Sequence, residues 1–370
     1  MRVDILQEYV PHYRVPLFAT MKSLAQTRGI EIRVLAGRPN ATQSMRGDSA
    51  TEAIDVSVKQ REIKFAGRRL TFRDTRLHLT RTDLVIVEQA RRNVDTYVSL
   101  LRSLPRVAMW GHGRDHVQQA RLLDAAILTR LTNRATWFFG YTPASVEAVV
   151  ERGFDRKRTT VLWNTTDATQ LRKDLSSVTA EEVAAFRSRH GSGGPIALYV
   201  GGLDSSKRIP FLLGAFDLLT RELPDASLAI LGRGSDEALL SEAARTRAWL
   251  YPGPPVFGRE LAIALRAADA LAMPGRVGLI AVDAIVANVP VVTTAWPYHA
   301  PEHAYLSTEN SAQSEDSPIA YARTLAAVLS DTSMNRSLRA GCAKIAPTFS
   351  IEKMALRFVD GIEDALTSVS

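Results

Sequence analysis

A hydrophobic segment that runs into two glycines and then two cations is the first part of the sequence able to bind an anion. It covers residues 199–208, Tyr-Val-Gly-Gly-Leu-Asp-Ser-Ser-Lys-Arg. Gly201 and Gly202 allow a ligand to approach the backbone closely. Lys207 and Arg208 stand beside a predicted helix start, where backbone N–H groups also attract anions. The pattern predicts a phosphate site, and the alternative is an ordinary strand–turn–helix joint with surface cations.

A second buried segment, residues 270–273, is followed by Gly275 and by a helix predicted to begin near Gly278. The first N–H groups of a helix have no partner inside it, so the amides after Gly275 are candidates for binding a diphosphate. Asp283 lies in this helix and could accept hydrogen bonds from sugar hydroxyls. The alternative for Asp283 is a solvent-facing helix residue.

Polar residues also follow strand segments in the first half of the chain. His112 comes after Val107–Trp110 and is bracketed by glycines. It is a candidate for substrate contact, although Gly-His-Gly also suits a turn. Glu88 follows Leu84–Val87 in the same way. The other candidates for binding an acceptor are Tyr9, His12 and Arg14 in the first strand–helix loop, and Arg91, Arg92 and Asn93 beside Glu88.

Strands rich in Val, Ile and Leu alternate with helical patterns, which predicts an α/β fold with parallel sheets. The predicted strands are 3–7, 31–35, 84–87, 107–110, 136–139, 160–162, 196–200, 228–231, 270–273 and 291–293. The predicted helices are 14–28, 93–104, 116–132, 143–152, 180–188, 210–222, 236–248, 260–268, 278–287 and 350–365.

Two doubly wound domains account for this element order. Residues 173–195 contain His-Gly-Ser-Gly-Gly-Pro and are predicted to connect the domains. The first domain is then 1–173 with the tail 351–370, and the second is 174–350. Ligands of such folds bind beyond the carboxyl ends of the strands. Two domains that face each other across a cleft could therefore each hold one substrate.

The second half resembles the donor-binding domain of the GT-B glycosyltransferases, in particular the large retaining family 4-like (group 1) enzymes, which include mannosyltransferases and sucrose synthase. The matching segments span roughly residues 160–306 and are Tyr199–Leu203 with Lys207, Leu228–Gly234, Ala268–Pro274, Gly278–Asp283, Pro290–Val292 and Trp163–Asp167. The first half is similar only in outline, and the tail resembles the family's closing helix, which crosses back onto the first domain.

The resemblance implies two Rossmann-like domains, with the acceptor on the first and a nucleotide-sugar donor on the second. It also implies a histidine near the donor sugar, matched by His112, and a phosphate-binding lysine, matched by Lys207. With Arg208 these form the expected catalytic set. The expected donor-binding residues are Gly201, Gly202, Gly232, Gly275, Val277, Gly278, Leu279 and Asp283, and the expected acceptor-binding residues are Tyr9, His12, Arg14 and Glu88.

The sequence departs from the family's pattern at three donor positions. The family's arginine is replaced by Gly202, and we expect Arg208 to substitute for it in part. The first of two family glutamates falls at Gly275, and the second is Asp283, which is one methylene shorter. The sugar and the base of the donor are therefore not predicted beyond a UDP- or GDP-linked sugar.

Composition and charge limit the other functions of the chain. The 370 residues contain one cysteine and no apolar run of membrane-spanning length, which together with the charged N-terminal segment predicts a cytoplasmic protein without disulfides. Residues 1–175 contain 29 basic and 18 acidic residues, and residues 176–370 contain 17 and 21. The basic half favours an anionic acceptor or an anionic membrane at the inner face of the cell envelope. No motif or aromatic pattern for binding nucleic acid is present.

These observations predict a metal-independent retaining glycosyltransferase that uses a nucleotide sugar and no cofactor. Its acceptor would be a glycan, a lipid-linked molecule or a small molecule. Two alternatives remain open. One is a catalytically silent protein that binds a sugar or a nucleotide, which the missing family arginine and glutamate suggest, and the other is a sugar-phosphate synthase or phosphorylase on the same fold.

Overall fold

The computed structural model describes residues 1–40, 44, 49–65, 68–75, 78–90, 93–101, 106–113, 122–191 and 193–368. The chain divides into two compact units. The first comprises Met1–Asn164 and Ile351–Ser370, and the second comprises Thr165–Ser350. The boundary thus lies at 164/165, nine residues before the predicted position at 173/174.

The first unit contains a seven-stranded parallel sheet in the order β3-β2-β1-β6-β7-β8-β9 and a separate antiparallel pair, β4 and β5. The strands are β1 Arg2–Gln7, β2 Glu31–Ala36, β3 Val56–Ser57, β4 Gln60–Phe65, β5 Arg68–Arg73, β6 Leu84–Glu88, β7 Arg106–Gly111, β8 Trp137–Gly140 and β9 Thr159–Val161. The helices are α1 Val15–Thr27, α2 Val94–Leu101, α3 Leu122–Thr132, α4 Pro143–Val150 and a closing helix, Ile351–Thr367.

The closing helix completes the core of the first unit. Its apolar residues recur at helical spacing, and Ile351, Met354, Phe358 and Ile362 are buried. They join one hydrophobic cluster with β1, β2, β6, β7 and β8. The last residues of the sequence therefore fold with the first ones, as predicted.

The second unit contains a six-stranded parallel sheet in the order β12-β11-β10-β13-β14-β15. The strands are β10 Ile196–Gly202, β11 Ser227–Arg233, β12 Leu250–Gly253, β13 Ala270–Met273, β14 Val291–Thr294 and β15 Ser311–Ser314. The helices are α5 Ala168–Ser177, α6 Ala180–His190, α7 Ile209–Glu222, α8 Glu237–Ala244, α9 Gly258–Ala267, α10 Ile280–Val286, α11 Pro318–Ser330 and α12 Thr332–Ile345.

Each parallel sheet reverses its strand order at one place. In the first unit the reversal lies between β1 and β6, and in the second it lies between β10 and β13. Doubly wound folds bind ligands beyond the carboxyl ends of the strands at this switch point. In each unit the loops that follow these two strands are therefore the place to look for a site.

The predicted connection at 173–195 is wrong, because these residues fold into the second unit. Helix α6 begins with a capping box in which Thr179 and Glu182 bond each other's backbone N–H. Arg187 then donates hydrogen bonds to the carbonyl oxygens of Ala267 and Gly194. These bonds hold the segment against the start of β10, which a pattern of Gly and Ser does not reveal.

Several elements were not predicted from the sequence. They are the pair β4–β5, the short strands β3, β12 and β15, and the helices α5, α11 and α12. No helix in the described part of the chain is long and apolar enough to cross a membrane. Within the same residues, no group of three His, Cys, Asp or Glu side chains could hold a metal ion.

Candidate active site

The loop after β10 is shaped by close contact with β11. Tyr199 is fully buried, and its hydroxyl donates a hydrogen bond to the carbonyl oxygen of Gly202 at 2.5 Å. A Cβ atom at Gly232 would lie 2.0 Å from the carbonyl oxygen of Gly201. The packing of the two strand ends therefore requires a glycine at 232. Gly202, the last residue of β10, is exposed at the edge of the sheet.

The loop after β10 is also bonded to the loop after β13. The ammonium group of Lys207 donates to the carbonyl oxygen of Arg276 at 2.7 Å, and the N–H of Arg276 donates to Ser206 at 2.9 Å. A Cβ atom at Gly275 would lie 2.5 Å from the carbonyl oxygen of Ser206 and 2.6 Å from that of Lys207. The backbone of one loop thus fills the space in which a side chain at 275 would start.

Arg208 has a carboxylate partner in its own unit. It adopts a left-handed backbone conformation with φ of 58°, and its guanidinium forms an ion pair with Asp316. The same group lies 4.2 Å from the ring centroid of Phe211 and 5.7 Å from that of Trp296. In this arrangement the charge of Arg208 is balanced by Asp316, which conflicts with its expected role as a replacement for the family's arginine.

Val277 does not offer its N–H to a ligand, contrary to the expectation. This N–H donates to Nδ1 of His299 at 3.2 Å, and the side chain of Val277 is fully buried. His299 in turn donates from Nε2 to the carbonyl oxygen of Thr294 at 3.0 Å. Burial lowers the pKa of His299, in keeping with the neutral ring that accepts the Val277 hydrogen bond. The remaining candidates in this loop are the N–H groups of Gly278 and Leu279, which precede α10.

Asp283 is buried in α10 and is not the solvent-facing residue of the alternative interpretation. Its residue exposure is 9%, and the hydroxyl of Thr166 donates to Oδ1 at 2.6 Å. Burial raises the pKa of Asp283 to about 6, although the Thr166 hydrogen bond acts in the opposite direction. The carboxyl group can therefore change its protonation state just below neutral pH.

A pair of histidines supports the loop after β13 from the side of β14. The rings of His299 and His303 are stacked with centroids 4.1 Å apart and an interplanar angle of 5°. Burial, and then the neighbouring His299, lower the pKa of His303 to about 4. Glu302, which follows in the same segment, is buried. The sequence analysis did not identify the two histidines as supports of this loop.

In the first unit, Arg14 is a buried residue that links three strand ends. Its guanidinium donates to the side-chain oxygens of Gln7 and Tyr141, at 2.6 Å for the latter. It also lies 4.1 Å from the ring centroid of Trp110. Arg14 therefore positions neighbouring side chains at the carboxyl edge of this sheet.

Glu88 lies at the same edge, as the last residue of β6. It accepts hydrogen bonds from the N–H of Glu8 at 2.9 Å and from Nδ2 of Asn93 at 3.4 Å, and one oxygen is 3.6 Å from Arg73. Burial raises the pKa of Glu88, an effect that Arg73 opposes. This carboxyl group belongs to a polar network at the switch point of the first sheet.

His112 also lies beside this network. Its ring packs against Tyr141, with centroids 4.6 Å apart. Gly113 has φ of +74°, and a Cβ there would lie 2.0 Å from the carbonyl oxygen of Ser145. The close packing of Gly113 explains why the second residue after Gly111 is also a glycine. The ring of His112 lies next to Tyr141, the residue to which Arg14 donates a hydrogen bond.

The remaining acceptor candidates differ in exposure. His12 is exposed, with Nε2 3.9 Å from a carboxylate oxygen of Glu52, and Tyr9 is partly buried. Arg91 and Arg92 lie outside the described residues.

A family model matches part of the second unit. Residues 194–331 match the family model of the glycosyl transferases group 1. No curated protein matches the chain by sequence. The expected resemblance and the class of enzyme are thus confirmed by a match that contains both loops of the candidate site.

Solved structures similar to the whole chain show that it has the GT-B fold. HepE of Anabaena, in complex with UDP and glucose, has a TM-score of 0.69 at 14% identity, covering 98% of this chain and 99% of its own. An E. coli trehalose-6-phosphate protein bound with UDP-2-fluoro glucose has a TM-score of 0.71 at 13% identity over 100% of both chains. WaaG, a glycosyltransferase involved in lipopolysaccharide biosynthesis, has a TM-score of 0.64 at 14% identity, covering 97% and 99%. The predicted fold class is confirmed.

Within the second unit, the residues missed by sequence reasoning are those that hold other residues in place. His299 binds the N–H of Val277, and Asp316 binds Arg208. Each partner is distant in sequence from the residue that it holds. The one indication available was the cluster of aromatic and histidine residues after β14, Trp296 to His303.

Proposed function

We propose that the protein is a retaining hexosyltransferase that moves a sugar from a UDP- or GDP-linked donor to an acceptor without a metal ion. The observation that carries the proposal is the position of the two bonded loops. They follow β10 and β13, the strands that flank the switch point of a group 1 glycosyl transferase domain. The UDP and UDP-sugar complexes of the similar structures support a nucleotide-sugar donor.

In the proposed reaction the donor diphosphate lies near Lys207 and the backbone of Gly278 and Leu279. Negative charge grows on the diphosphate as its bond to the sugar breaks. A cation fixed beforehand stabilises that charge more in the transition state than in the ground state. The acceptor hydroxyl then attacks the same face of the sugar, and its proton passes to the departing phosphate oxygen.

Donor binding and turnover test this proposal separately. The full chain would be titrated calorimetrically with UDP, GDP and dTDP, and then incubated with the matching nucleotide sugars and candidate acceptors. We expect binding of one nucleotide, its release only with a suitable acceptor, and a product whose anomeric configuration, read by NMR, equals that of the donor. Inversion would overturn the retaining mechanism, and a lack of affinity for every nucleotide would overturn the proposal. Activity that requires added Mg²⁺ or Mn²⁺ would contradict metal independence.

The alternatives make different predictions in the same experiment. A silent binding protein would bind a nucleotide, but its nucleotide sugar would stay intact with every acceptor. A sugar-phosphate synthase or phosphorylase would use a sugar phosphate or inorganic phosphate as its acceptor. The fold likeness to the trehalose-6-phosphate protein makes sugar phosphates the first acceptors to try.

The first unit is proposed to hold the acceptor at the network of Arg14, Glu88 and His112 and to contact an anionic membrane. The β4–β5 pair supports the membrane contact. Ile63 is 53% exposed and Phe72 is 37% exposed, and the register places Ile63 opposite Leu70 and Phe72 opposite Arg61. Apolar side chains beside cations suit a surface of anionic lipid.

Vesicle sedimentation tests the membrane contact. The intact protein should bind vesicles that contain phosphatidylglycerol and not pure phosphatidylcholine, and high salt should weaken the binding. The double variant Ile63→Ser/Phe72→Ser should lose most of it, because it removes the exposed apolar side chains. Ile319→Ser, at a site 57% exposed in the second unit, is the control and should bind normally. Equal binding of the double variant and the control would contradict the contact.

A further inference from the structure

The carboxyl edge of the second sheet contains a further cation, Arg233, at the end of β11. The parallel register pairs Arg233 with Gly202, the last residue of β10. Neighbouring strands lie about 4.8 Å apart, and residues paired in register project from the same face of the sheet. The side chain of Arg233 therefore starts directly beside exposed backbone that no side chain of residue 202 covers.

The backbone of Arg233 is fixed on both sides. Its carbonyl oxygen accepts the N–H of Leu203 at 2.9 Å. A Cβ at Gly234 would lie 2.3 Å from the carbonyl oxygen of Leu203, and the N–H of Gly234 donates to a carboxylate oxygen of Glu237 at 2.6 Å. The strand ends are packed too closely to shift, so the direction in which the side chain leaves the sheet is set in advance.

The side chain of Arg233 is nevertheless available to a ligand. It is exposed, and it has no ion pair or hydrogen bond with any other residue that the structure describes. By contrast, Lys207 donates to Arg276 and Arg208 is paired with Asp316. Arg233 is thus a cation at the carboxyl edge of the sheet, beside β10, whose charge is not balanced by a bonded neighbour among the described residues.

We infer that Arg233 binds the diphosphate of the nucleotide donor from the side of β11, above Gly202. A guanidinium presents parallel N–H groups that match two phosphate oxygens, and a charge fixed near the leaving group also stabilises it as the sugar bond breaks. The inference rests on the proposed function and names a residue for the role first expected of Arg208.

Nucleotide and nucleoside binding by the full chain test the inference. For Arg233→Ala, we expect affinity for the nucleoside diphosphate to fall by tenfold or more, while affinity for the corresponding nucleoside, measured by saturation-transfer NMR, stays within twofold. Arg233→Lys should recover part of the loss, because it keeps the charge but not the paired N–H groups. Arg245→Ala removes an exposed arginine paired with Glu242 on α8 and is the control, with unchanged binding.

The outcomes separate this inference from the proposed function. If the unaltered protein binds no nucleotide, the proposed function fails. If it binds a nucleotide and Arg233→Ala binds equally well, the inference is overturned and the proposed function stands. If Arg233→Ala loses the nucleoside to the same extent as the diphosphate, Arg233 contacts the base or the ribose, and the inference is again overturned. A melting curve equal to that of the control establishes that the variant is folded.

Discussion

At the scale of single residues, Lys207 joins the two loops of the candidate site and also supplies a charge. Its ammonium group donates to the carbonyl oxygen of Arg276 at 2.7 Å and places a positive charge beside the loop after β13. Lys207→Ala removes both contributions. We expect kcat to fall on the order of 10²-fold or more in a nucleotide-release assay.

A control separates the two contributions of Lys207 from a general effect of lost charge. Lys344→Ala, which removes an exposed lysine paired with Glu309, should leave turnover unchanged. Lys207→Arg keeps the charge and should retain more activity than Lys207→Ala. Turnover by Lys207→Ala equal to that of the unaltered protein would refute the assignment of this residue.

Asp283 makes stability depend on pH, because its pKa of about 6 in the folded protein exceeds the ordinary value of 3.8. The unfolded chain loses the proton first, so the favourable contribution is complete below about pH 4 and is lost as the pH rises to about 6. Asp283→Asn cannot ionise. Relative to the unaltered protein, it should gain up to about 3 kcal/mol in unfolding free energy between pH 4 and pH 7.5.

Urea unfolding at several pH values measures this difference. The other carboxyl groups are the same in both proteins, so their contributions to the pH dependence of the unfolding free energy cancel in the comparison. Glu260→Gln, an exposed site in the same unit, is the control and should follow the unaltered protein at every pH. If the unfolding free energy of Asp283→Asn varies with pH in the same way as that of Glu260→Gln, ionisation of Asp283 does not affect folding.

At the scale of elements, Gly275 allows two loops to meet. The backbone of Ser206 and Lys207 lies where a Cβ would be placed, and the carbonyl oxygen of Ser206 cannot move without breaking its hydrogen bond with the N–H of Arg276. We expect Gly275→Ala to cost about 1–3 kcal/mol of unfolding free energy and to weaken nucleotide binding at the same time.

Gly214→Ala is the matched control for this substitution. Gly214 lies in α7 with nothing within 4 Å of an added Cβ. Alanine is the better helix former by up to about 1 kcal/mol, so this variant should be slightly more stable, with normal binding. If Gly275→Ala behaves like Gly214→Ala in urea unfolding and calorimetric titration, the two loops are not tightly joined.

At the scale of the whole molecule, the end of the chain completes the unit in which the chain begins. Phe358 of the closing helix is fully buried and packs against Trp110 and Phe139, with ring centroids 5.0 and 4.5 Å away. Arg28 of the first unit also forms ion pairs with Asp360 and Glu363. The first unit therefore depends on residues that follow the whole of the second unit in sequence.

Phe358→Ala should destabilise the first unit by about 3–5 kcal/mol, because it removes a large buried ring and leaves a cavity. The urea transition of the full chain, followed by circular dichroism, measures the loss. Leu356→Ala, on the same helix at a site 42% exposed, should cost much less. Equal losses for the two variants would contradict the packing role of the closing helix.

Most elements could be predicted from the sequence because their patterns are local. Strands such as Ala270–Met273 are short runs of apolar residues, and the closing helix repeats its apolar residues at helical spacing. The pair β4–β5 was missed because its strands are rich in charged residues. The connection at 173–195 was misplaced because Gly and Ser indicate a loop but not the unit to which the loop belongs.

The sequence by itself determined the order of strands and helices, the glycines and cations of the two donor loops, and the resemblance to the group 1 glycosyltransferases. Only the tertiary structure decided which of these groups already have partners. It bonds the N–H of Val277 to His299, pairs Arg208 with Asp316 and sets Arg233 beside Gly202. Strand register and close packing bring together residues far apart in sequence, and the local pattern around each residue does not contain that information.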